Sequence, residues 1–314
     1  MTKEHVWIIG RSGLLGSALS RTQPDAHLFQ SSPVPWTEPG AAVDVLSRDL
    51  QRFTSSAAAD GRWSIYWAAG TGVIGSDASQ FSRETTVLSG FLDALRAVPR
   101  SQAGGFFFAS SASVYGGSKD APFSEGTPPL ALNTYAATKL EQEQLIIDAL
   151  RGIRPHVIGR ISTLFGPGQD VTKGQGLISR MCVQAALRRP LSLYVPIDTL
   201  RDYVFVDDAA RAITLFLAAA QASGDVGTRV RVVARGMPMT VAQVATSVRL
   251  IAHRRIGISQ AAPASSAAHV RDLRVRTEYA HELRELTWTS TPAAIRAVYD
   301  EVLTGLHGGR LHPS

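Results

Sequence analysis

A glycine-rich segment near the start of the chain constrains the possible folds most strongly. The residues His5-Val-Trp-Ile-Ile9 predict a buried β-strand, and Gly10-Arg-Ser-Gly13-Leu-Leu-Gly16 follows directly. The stretch Leu14 to Leu19 predicts the start of a helix within this segment. A strand, a glycine turn and a helix N-terminus form the arrangement in which backbone N–H groups bind a pyrophosphate. The segment therefore predicts the first unit of a parallel α/β sheet with a dinucleotide site.

A tyrosine and a lysine four residues apart, Tyr135 and Lys139, predict acid–base chemistry in the same chain. This spacing places both side chains on one face of a helix, with Cβ atoms roughly 5–6 Å apart. A free tyrosine titrates near pH ~10, and a neighbouring cation stabilises its phenolate, so we expect a lowered pKa for Tyr135. Such a hydroxyl exchanges protons with an alcohol or a ketone near neutral pH.

Three further segments follow in a fixed order. They are Ser110-Ser111-Ala-Ser113-Val-Tyr115-Gly116, Arg160-Ile-Ser-Thr-Leu-Phe165-Gly-Pro-Gly168 and Arg201-Asp-Tyr-Val-Phe-Val-Asp-Asp208. With the glycine loop and the Tyr-Lys pair, this set resembles the extended short-chain dehydrogenase/reductase family over nearly the whole chain. The resemblance is to its sugar-nucleotide epimerase, dehydratase and ketoreductase branch. It implies an NAD(P)-dependent enzyme with a Rossmann-type, doubly wound parallel sheet and a smaller, mainly helical C-terminal substrate lobe.

The order of predicted elements agrees with that α/β fold, because strands and helices alternate as far as about residue 170. We expect residues 1–170 to form the NAD(P)-binding domain and residues 171–314 the substrate-binding lobe. Segments near 201–235 are expected to return to the sheet, among them Tyr203–Val206 and Val230–Val233, and Ala261–Ala268 reads as a loop. The other predicted strands are His27–Gln30, Trp63–Ala68, Gly105–Ala109 and His156–Ile161. The predicted helices are Phe81–Val98, Tyr135–Leu150, Leu177–Leu187, Thr240–His253, Arg276–Arg284 and Pro292–Leu303.

The resemblance also implies roles for individual residues around the reacting carbon. Tyr135, Lys139 and Ser111 match the catalytic residues, with Ser110 and Ser113 as alternatives for the serine. Arg201 matches an arginine that binds a substrate pyrophosphate, for which a guanidinium is well suited. The structural alternative for Arg201 is a salt bridge with Asp202. Thr163 stands at a substrate-binding position that is often asparagine in sugar-nucleotide relatives.

Cofactor contacts are implied at four places in the sequence: the glycine loop, the end of strand two, an Asp-Val pair and the turn after the next strand. Asp44 matches a residue that contacts the adenine, and a helix N-cap is a compatible role for it. Small residues in the turn let the backbone approach the cofactor. The cofactor contacts that the resemblance implies are Gly10, Arg11, Ser12, Gly13, Leu14, Gly16, Ser31, Ser32, Asp44, Val45, Ala68, Ala69 and Gly70, together with Tyr135 and Lys139.

The choice between NADP and NAD depends on the end of the second strand. The stretch Ala26 to Ser32 ends without the acid that binds the ribose 2′-hydroxyl in an NAD site. Arg11, with Ser31 or Ser32, accommodates a 2′-phosphate, which favours NADP and keeps NAD as the alternative.

Ala112-Ser113 replaces the Asp-Glu pair of the family's 4,6-dehydratases, so dehydration is not expected. A ketoreductase using NADPH is favoured over an epimerase with tightly bound NAD, and a non-catalytic cofactor-sensing protein is the third alternative.

Composition restricts the remaining classes of protein. The chain has 314 residues, 45% of them hydrophobic, a net charge of +6 and a single cysteine, Cys182. Internal disulfides and cysteine-built metal clusters are therefore excluded, and no metal site is predicted. Lys and Arg are scattered, which favours two anionic small molecules, a dinucleotide and a nucleotide sugar, over a nucleic acid. The longest apolar stretch, near Ile213–Ala220, is far shorter than the ~20 residues a membrane span needs. The first predicted strand begins almost directly at the N-terminus, so no signal peptide is expected. We expect a cytoplasmic protein, possibly a homodimer.

Overall fold

A computed structural model of the chain gives its fold. The structure describes residues 4–57, 62–70, 77–99, 104–171, 176–254, 257–260 and 270–308. The predicted loop Ala261–Ala268 lies outside these ranges. The helices are α1 (Leu14–Arg21), α2 (Pro39–Ala57), α3 (Ala78–Ala97), α4 (Thr134–Leu150), α5 (Leu177–Leu187), α6 (Val206–Ser223), α7 (Val241–Ala252) and α8 (Thr291–His307). The strands are β1 (His5–Ile9), β2 (His27–Leu28), β3 (Trp63–Trp67), β4 (Gly104–Ser111), β5 (His156–Ile161), β6 (Thr163–Phe165), β7 (Leu191–Leu193), β8 (Leu200–Phe205), β9 (Thr228–Val233), β10 (Pro238–Thr240), β11 (Ile258–Gln260) and β12 (Asp272–Leu273).

The central sheet contains six parallel strands in the order β2-β1-β3-β4-β5-β9. Side chains alternate between its two faces, as the pleat of a strand requires. Val6 and Ile8 of β1 pack against α1 and α6, whereas Trp7 and Ile9 pack against α2, α3 and α4. Both faces are therefore covered by helices. The predicted α/β fold with a doubly wound parallel sheet is confirmed.

The strand order places the functional loops at one edge of the sheet. From β1 the chain passes through α1 to β2 on one side, and it then returns to β3 on the other side of β1. In open parallel sheets such a reversal leaves a crevice at the carboxyl ends of the two strands, and ligands bind there. The loop after β1 begins at Gly10, and the turn after β3 is Ala68–Gly70. These two segments are the predicted cofactor loops.

A second, smaller sheet lies in the C-terminal part of the chain. It contains β10, β8 and β12, and β6 also pairs with β8. Helices α5, α7 and α8 pack together beside it around a core that includes Met181, Val248 and Ile295. The predicted return of Val230–Val233 to the central sheet is confirmed by β9. The same prediction for Tyr203–Val206 is wrong, because β8 pairs with β6, β10 and β12. The division into two domains at residue 170 stays a prediction.

The helix predicted over Arg276–Arg284 is wrong, and only a short 3-10 helix at Ala280–Leu283 forms there. The stretch contains good helix formers, but tertiary contacts override that propensity. Thr277 Oγ1 donates a hydrogen bond to Glu125 at 2.7 Å, and the backbone N–H of Glu278 donates to the same carboxylate at 2.8 Å. These bonds fix the approach to the 3-10 helix in an extended form.

A buried histidine on β5 makes stability depend on pH. His156 is fully buried, and its two ring nitrogens contact the carbonyl of Arg154 and Thr228 Oγ1, each at 3.0 Å. Burial lowers the pKa of His156 below its usual value, and the bond to the Arg154 carbonyl opposes this only in part. In the unfolded chain the residue titrates near pH ~6.5, so the unfolded state binds more protons below that pH. Stability supplied by neutral His156 is present above pH ~6.5 and falls as the pH drops towards the lower pKa of the folded state.

We therefore expect the free energy of unfolding to decrease between pH 7 and pH 5. Urea unfolding at both pH values measures it. In His156→Gln the amide can still contact Thr228 and has no charge to gain, so its loss of stability between the two pH values should be smaller than that of the native chain. Equal losses in both proteins would remove His156 as a source of the pH dependence.

Candidate active site

The glycine loop lies in close contact with the turn after β3. Gly10 has φ +90°, a conformation that favours glycine, and a Cβ on it would lie 2.6 Å from the backbone nitrogen of Ala69. A Cβ on Gly16 would clash with the carbonyl oxygen of Gly10, so glycine lets α1 pack against the loop. Gly13 precedes α1, and no side chain caps this helix. The free helix N-terminus above a loop without side chains fits a pyrophosphate, which is the part of a dinucleotide that such loops hold.

Arg11 extends from this loop towards the end of the second strand. Its guanidinium donates to Gln30 Oε1 at 3.0 Å and to Ser20 Oγ at 3.2 Å, and the side chain is exposed. Arg11, Ser12 and Gly13 are all exposed on the loop, whereas Leu14 is half-buried. A cation therefore lies beside strand two, where the sequence predicted a contact with a 2′-phosphate. No acid follows β2 in the chain as far as Ser32.

A carboxylate nevertheless reaches this strand end from α2, which corrects the expectation that none is present there. Asp49 accepts hydrogen bonds from the backbone N–H of Ser32 at 2.6 Å and from its hydroxyl at 2.9 Å. Asp49 is 1% exposed, and Arg52 pairs with it at 2.7 Å. Ser31 accepts a bond from the Trp7 ring at 2.5 Å. Both serine hydroxyls thus have partners inside the protein, while the Asp49 charge is compensated and buried.

Asp44 and Val45 lie inside α2, five and six residues after its start at Pro39. The alternative role of Asp44 as a helix N-cap is therefore wrong. Asp44 is exposed and lines a cavity of about 590 Å³ between α2, α3 and α4, with Thr85 and Glu141 among its other lining residues. The predicted adenine contact of Asp44 stays a prediction.

The Ser111 and Tyr135 side chains lie near each other at the carboxyl end of β4. Tyr135 lies in the first turn of α4, and that helix starts where it does because Asn133 caps it, accepting from the N–H of Ala136 at 2.9 Å. Ser111 is the last residue of β4 and also caps the 3-10 helix Ala112–Tyr115. The Ser111 side chain lies near enough to the Tyr135 hydroxyl to lower its pKa. Two neighbouring hydroxyls can both bond one substrate oxygen.

The two alternative serines lie in different surroundings. Ser110 is buried and donates to Glu143 Oε1 at 2.5 Å, which turns it away from Tyr135. The Ser113 hydroxyl is buried without a hydrogen-bond partner among the described residues. Of these three serines, only Ser111 is near enough to act on the pKa of Tyr135 in the described part of the chain. This geometry favours Ser111 for the predicted role.

Lys139 lies one turn of α4 beyond Tyr135, as the spacing predicted. It is 8% exposed, and its ammonium donates to the carbonyl of Ala109 at 3.2 Å. The ammonium also stands 4.8 Å from the ring centre of Phe108 and 6.0 Å from that of Tyr135. Burial lowers the pKa of Lys139 to about 8, against the opposing charges of Glu84 and Glu143. Lys139 is thus mostly charged at neutral pH.

The expected lowering of the Tyr135 pKa is wrong for this structure. Burial raises the pKa of Tyr135 above its usual value, the nearby Ser111 side chain lowers it, and the charge of Glu84 raises it further. A phenolate is disfavoured in low-dielectric surroundings and beside a carboxylate. The Tyr135 hydroxyl is therefore protonated at neutral pH, and in this structure it is a weaker acid than a free tyrosine.

A buried ion pair beneath Lys139 was not found from the sequence. Arg160 on β5 binds Glu143 on α4, with Nη2 to Oε2 at 2.7 Å, and also donates to Tyr115 Oη at 2.9 Å. Glu143 is 3% and Arg160 is 7% exposed. Glu143 follows Lys139 by four residues and so shares its helix face, a spacing that could have identified it. The pair ties α4 to β5 and the 3-10 helix, which holds the Tyr135 and Lys139 face against the sheet.

Arg201 and Thr163 lie on the smaller sheet, where Thr163 pairs with Tyr203. The guanidinium of Arg201 donates to the backbone carbonyls of Val270 at 2.5 Å and Leu200 at 2.7 Å. The alternative salt bridge with Asp202 is wrong. Asp202 is buried, and it accepts from the backbone N–H groups of Arg235 and Met237 and from the Ser162 hydroxyl. The substrate contacts of Arg201 and Thr163 stay predictions.

The described residues offer neither a metal site nor a membrane-spanning helix. They contain no group of His, Cys, Asp and Glu side chains arranged to hold a metal ion. No helix among them is long and apolar enough to cross a membrane.

Curated relatives align with part of the chain. A UDP-glucose 4-epimerase from Azospirillum brasilense is 36% identical over 126 residues, which are 35% of this chain and 36% of that protein. A dTDP-4-dehydro-6-deoxyglucose reductase from Escherichia coli is 29% identical over 106 residues, 33% of this chain and 34% of that protein. Each alignment thus spans about a third of the relative's length.

A solved structure and a family model align over more of the chain. The structure of RMD from Pseudomonas aeruginosa, complexed with NADPH, is 23% identical with a TM-score of 0.74, and the match covers 96% of this chain and 98% of that one. At this identity the likeness establishes the fold. The model described as the NAD dependent epimerase/dehydratase family matches residues 6–230. The protein belongs to the NAD dependent epimerase/dehydratase family.

Proposed function

We propose that this protein is an NADPH-dependent ketoreductase that reduces a keto carbon in the sugar of a nucleotide sugar. The observation that carries the proposal is that Ser111, Tyr135 and Lys139 lie together at the carboxyl end of β4, with Lys139 Nζ 6.0 Å from the centre of the Tyr135 ring. This pair lies at the same edge of the sheet as the glycine loop and the Ala68–Gly70 turn. A reductase needs a proton donor there at the start of its reaction, and Tyr135 is in that state.

Tyr135, Ser111 and Lys139 each have a different role in the reaction. When bound, the dinucleotide supplies a hydride to the keto carbon. Tyr135 donates its proton to the carbonyl oxygen as negative charge develops on it, and Ser111 donates a hydrogen bond to the same oxygen. Lys139 carries a positive charge next to Tyr135, which stabilises the phenolate left after proton transfer. Solvent then restores the proton to Tyr135, and one alcohol is formed for each NADPH oxidised.

The residues that would hold the cofactor are those at the switch point of the sheet. The backbone of Gly10 to Gly13 and the N-terminus of α1 would bind the pyrophosphate. The missing side chain of Gly10 lets this loop lie against Ala69. Lys139 would contact the nicotinamide ribose. On the substrate side, Arg201 has N–H groups beyond those bonded to carbonyls, and we keep its role as the pyrophosphate contact. Thr163, on the strand β6 that pairs with β8, is the second contact. A homodimer is part of the proposal and rests on the resemblance.

An epimerase with tightly bound NAD is the second candidate. The 36% identity with a UDP-glucose 4-epimerase supports it, as does the name of the family. An epimerase begins by removing a proton from a sugar hydroxyl, so Tyr135 would have to work first as a base. The exposed Arg11 at the end of strand two, which favours NADPH over tightly bound NAD, supports the reductase instead.

The purified protein distinguishes the two functions in one assay. Nucleotide sugars with a keto group in the sugar are supplied with NADPH or NADH, and oxidation of the cofactor is followed at 340 nm. A reductase consumes stoichiometric NADPH and leaves the site free of cofactor after purification. The opposite result is a protein that retains NAD and interconverts UDP-glucose and UDP-galactose without net oxidation of added cofactor. That result would contradict the reductase proposal and show an epimerase.

Arg11 provides the prediction on cofactor choice. Its guanidinium lies beside Gln30 at the end of strand two. A charged hydrogen bond to a 2′-phosphate contributes about 1.5–3 kcal/mol, so NADPH should bind roughly tenfold to a hundredfold more tightly than NADH. Arg11→Ala should remove this preference, and dissociation constants for both cofactors measure it. Arg21→Ala, on the exposed end of α1, is the matched control. Equal or tighter binding of NADH by the native protein would overturn the NADP assignment and make the epimerase the leading function.

A further inference from the structure

An exposed tryptophan lies at the carboxyl end of the central sheet. Trp36 is 40% exposed, whereas Trp7 and Trp67, on the strands beneath it, are buried. Its ring centre lies 6.3 Å from that of Trp67, and the two rings are nearly perpendicular, at 88°. A perpendicular contact covers at most one face of the Trp36 ring. The indole therefore keeps a large aromatic area open to solvent.

The position of Trp36 matters because single exposed apolar residues are ordinary on protein surfaces. Trp36 belongs to the segment that joins β2 to α2, residues 29–38, which we call the β2–α2 segment. Near its start, Ser31 accepts a hydrogen bond from the ring of Trp7 in β1. Trp67, which Trp36 contacts, is the last residue of β3 and directly precedes the turn against the glycine loop. The segment thus runs from the end of β2, past β1, to the carboxyl end of β3, where the crevice opens.

The adenosine half of a dinucleotide is expected at this part of the crevice. Arg11 extends from the glycine loop to Gln30, and in doubly wound sheets the end of strand two contacts the ribose next to the adenine. The adenine is bonded directly to that ribose, so it must lie against the neighbouring chain. In the β2–α2 segment, Trp36 is the exposed aromatic residue. The other, Phe29, is half-buried, with the Arg52 guanidinium 5.4 Å from its ring centre.

Asp44, the residue expected to contact the adenine, opens onto a different part of the surface. It lies inside α2, and the cavity that it lines is bordered by Thr85 of α3 and Glu141 of α4. Among the described residues, those that line this cavity include none from the glycine loop, the turn after β3 or the β2–α2 segment. A base bonded to a ribose at the end of strand two therefore reaches Trp36 more directly than Asp44.

We propose that Trp36 is the surface on which the adenine of the dinucleotide cofactor stacks, in place of the contact expected at Asp44. The cofactor is a dinucleotide in the reductase and in the epimerase alike, so the proposal does not depend on which of the two reactions occurs. Every base has an aromatic face, and stacking on a side chain needs no hydrogen bond to the edge of the base. Trp36 lies outside the glycine loop, the strand-two end and the Asp44-Val45 pair, so none of the family motifs identified it.

The first test measures nucleotide binding and involves no substrate. ADP carries the adenine and the pyrophosphate and lacks the nicotinamide, and calorimetry measures its affinity after any copurifying nucleotide has been removed with charcoal. In Trp36→Ala the dissociation constant of ADP should rise roughly tenfold, and that of NADPH by the same factor. Trp36→Phe keeps an aromatic ring, so it should bind ADP within about threefold of the native chain. Tyr194→Ala removes an aromatic side chain that is 49% exposed in the smaller lobe, and it should bind ADP with native affinity.

The second test uses the fluorescence of the indole. A base stacked on an indole quenches its emission, so ADP should reduce the emission of the native protein. Trp36→Phe should still bind ADP, but its emission should not change. The chain has five tryptophans, of which Trp7, Trp63 and Trp67 are buried and remain in this variant. Inorganic pyrophosphate has no base and should leave the native emission unchanged.

The proposal requires both results, weaker ADP binding in Trp36→Ala and loss of the quenching in Trp36→Phe. Native affinity for ADP in a folded Trp36→Ala protein would overturn it, and so would full quenching in Trp36→Phe. Urea unfolding shows whether Trp36→Ala is folded, and if it is not, the quenching in Trp36→Phe decides alone. Weaker ADP binding in Asp44→Asn, with native binding in Trp36→Ala, would place the base at Asp44.

This inference and the proposed function fail separately. Neither ADP binding nor its quenching of Trp36 involves turnover, so a protein that reduces no keto sugar could still show both effects. A protein that oxidises NADPH with a keto sugar, and whose Trp36→Ala variant binds ADP like the native chain, would confirm the reductase and refute the role of Trp36.

Discussion

Replacing Tyr135 with phenylalanine should lower turnover by at least ~10²-fold, the usual effect of removing a general acid. The ring of Tyr135 contacts Phe81, with centroids 6.2 Å apart, and phenylalanine keeps that contact. The variant should therefore fold normally and bind the cofactor with unchanged affinity. The lost group is the hydroxyl that donates the proton. Steady-state kinetics measure turnover, and fluorescence titration measures the affinity for NADPH.

A tyrosine outside the site provides the matched control for this change. Tyr299 lies in the core formed by α5, α7 and α8, far along the chain from the sheet edge that carries Tyr135. Tyr299→Phe should have near-native turnover. If Tyr135→Phe also retained near-native turnover, Tyr135 would not be the acid of the reaction, and the proposed mechanism would be wrong.

Replacing Glu143 with glutamine should lower the free energy of unfolding by about 3–5 kcal/mol, the range for breaking a buried ion pair by removing one partner. Arg160 would keep its charge in a buried position, with the hydroxyl of Tyr115 as its remaining side-chain partner. Ser110 would lose the carboxylate to which it donates. Urea unfolding followed by circular dichroism measures the change. Because α4 is held to β5 through this pair, we also expect weaker cofactor binding in the folded fraction.

The same helix supplies the control. Glu141 is exposed two residues earlier on α4, and Glu141→Gln should change stability by no more than about 0.5 kcal/mol. If Glu143→Gln does not fold, the pair Glu143→Leu with Arg160→Met tests the same argument, because removing both charges together should restore most of the stability. Equal stability of Glu143→Gln and Glu141→Gln would show that the ion pair does not hold α4 in place.

The choice of cofactor depends on a balance of charges that two elements create together. Arg11 on the glycine loop favours a 2′-phosphate at the end of strand two. Asp49 from α2 brings a negative charge to the same end, but it is buried and bonded to Arg52. Compensated charges act weakly on a ligand in solvent, so the exposed Arg11 should decide the preference.

Much of the fold followed from local patterns in the sequence. The continuous apolar run Val6 to Ile9 and the glycines after it predicted a buried strand, a turn and a helix, and the structure has all three. The spacing of four between Tyr135 and Lys139 predicted one shared helix face, since that relation depends only on helix geometry. The alternation of strands and helices predicted a parallel sheet covered on both faces. Such features depend on residues near one another in the chain, so a sequence contains them directly.

Other features required the tertiary structure, because they depend on contacts between distant segments. The sequence alone determined that Tyr135 has a lysine beside it, and it predicted a lowered pKa. Only the fold brings Glu84 from α3 to the same point and buries the pair, which raises the Tyr135 pKa instead. In the same way, only packing turns Ser110 towards Glu143 and leaves Ser111 beside Tyr135. Charge and burial act through space, so the direction of the Tyr135 pKa shift depends on the tertiary structure and not on spacing along the chain.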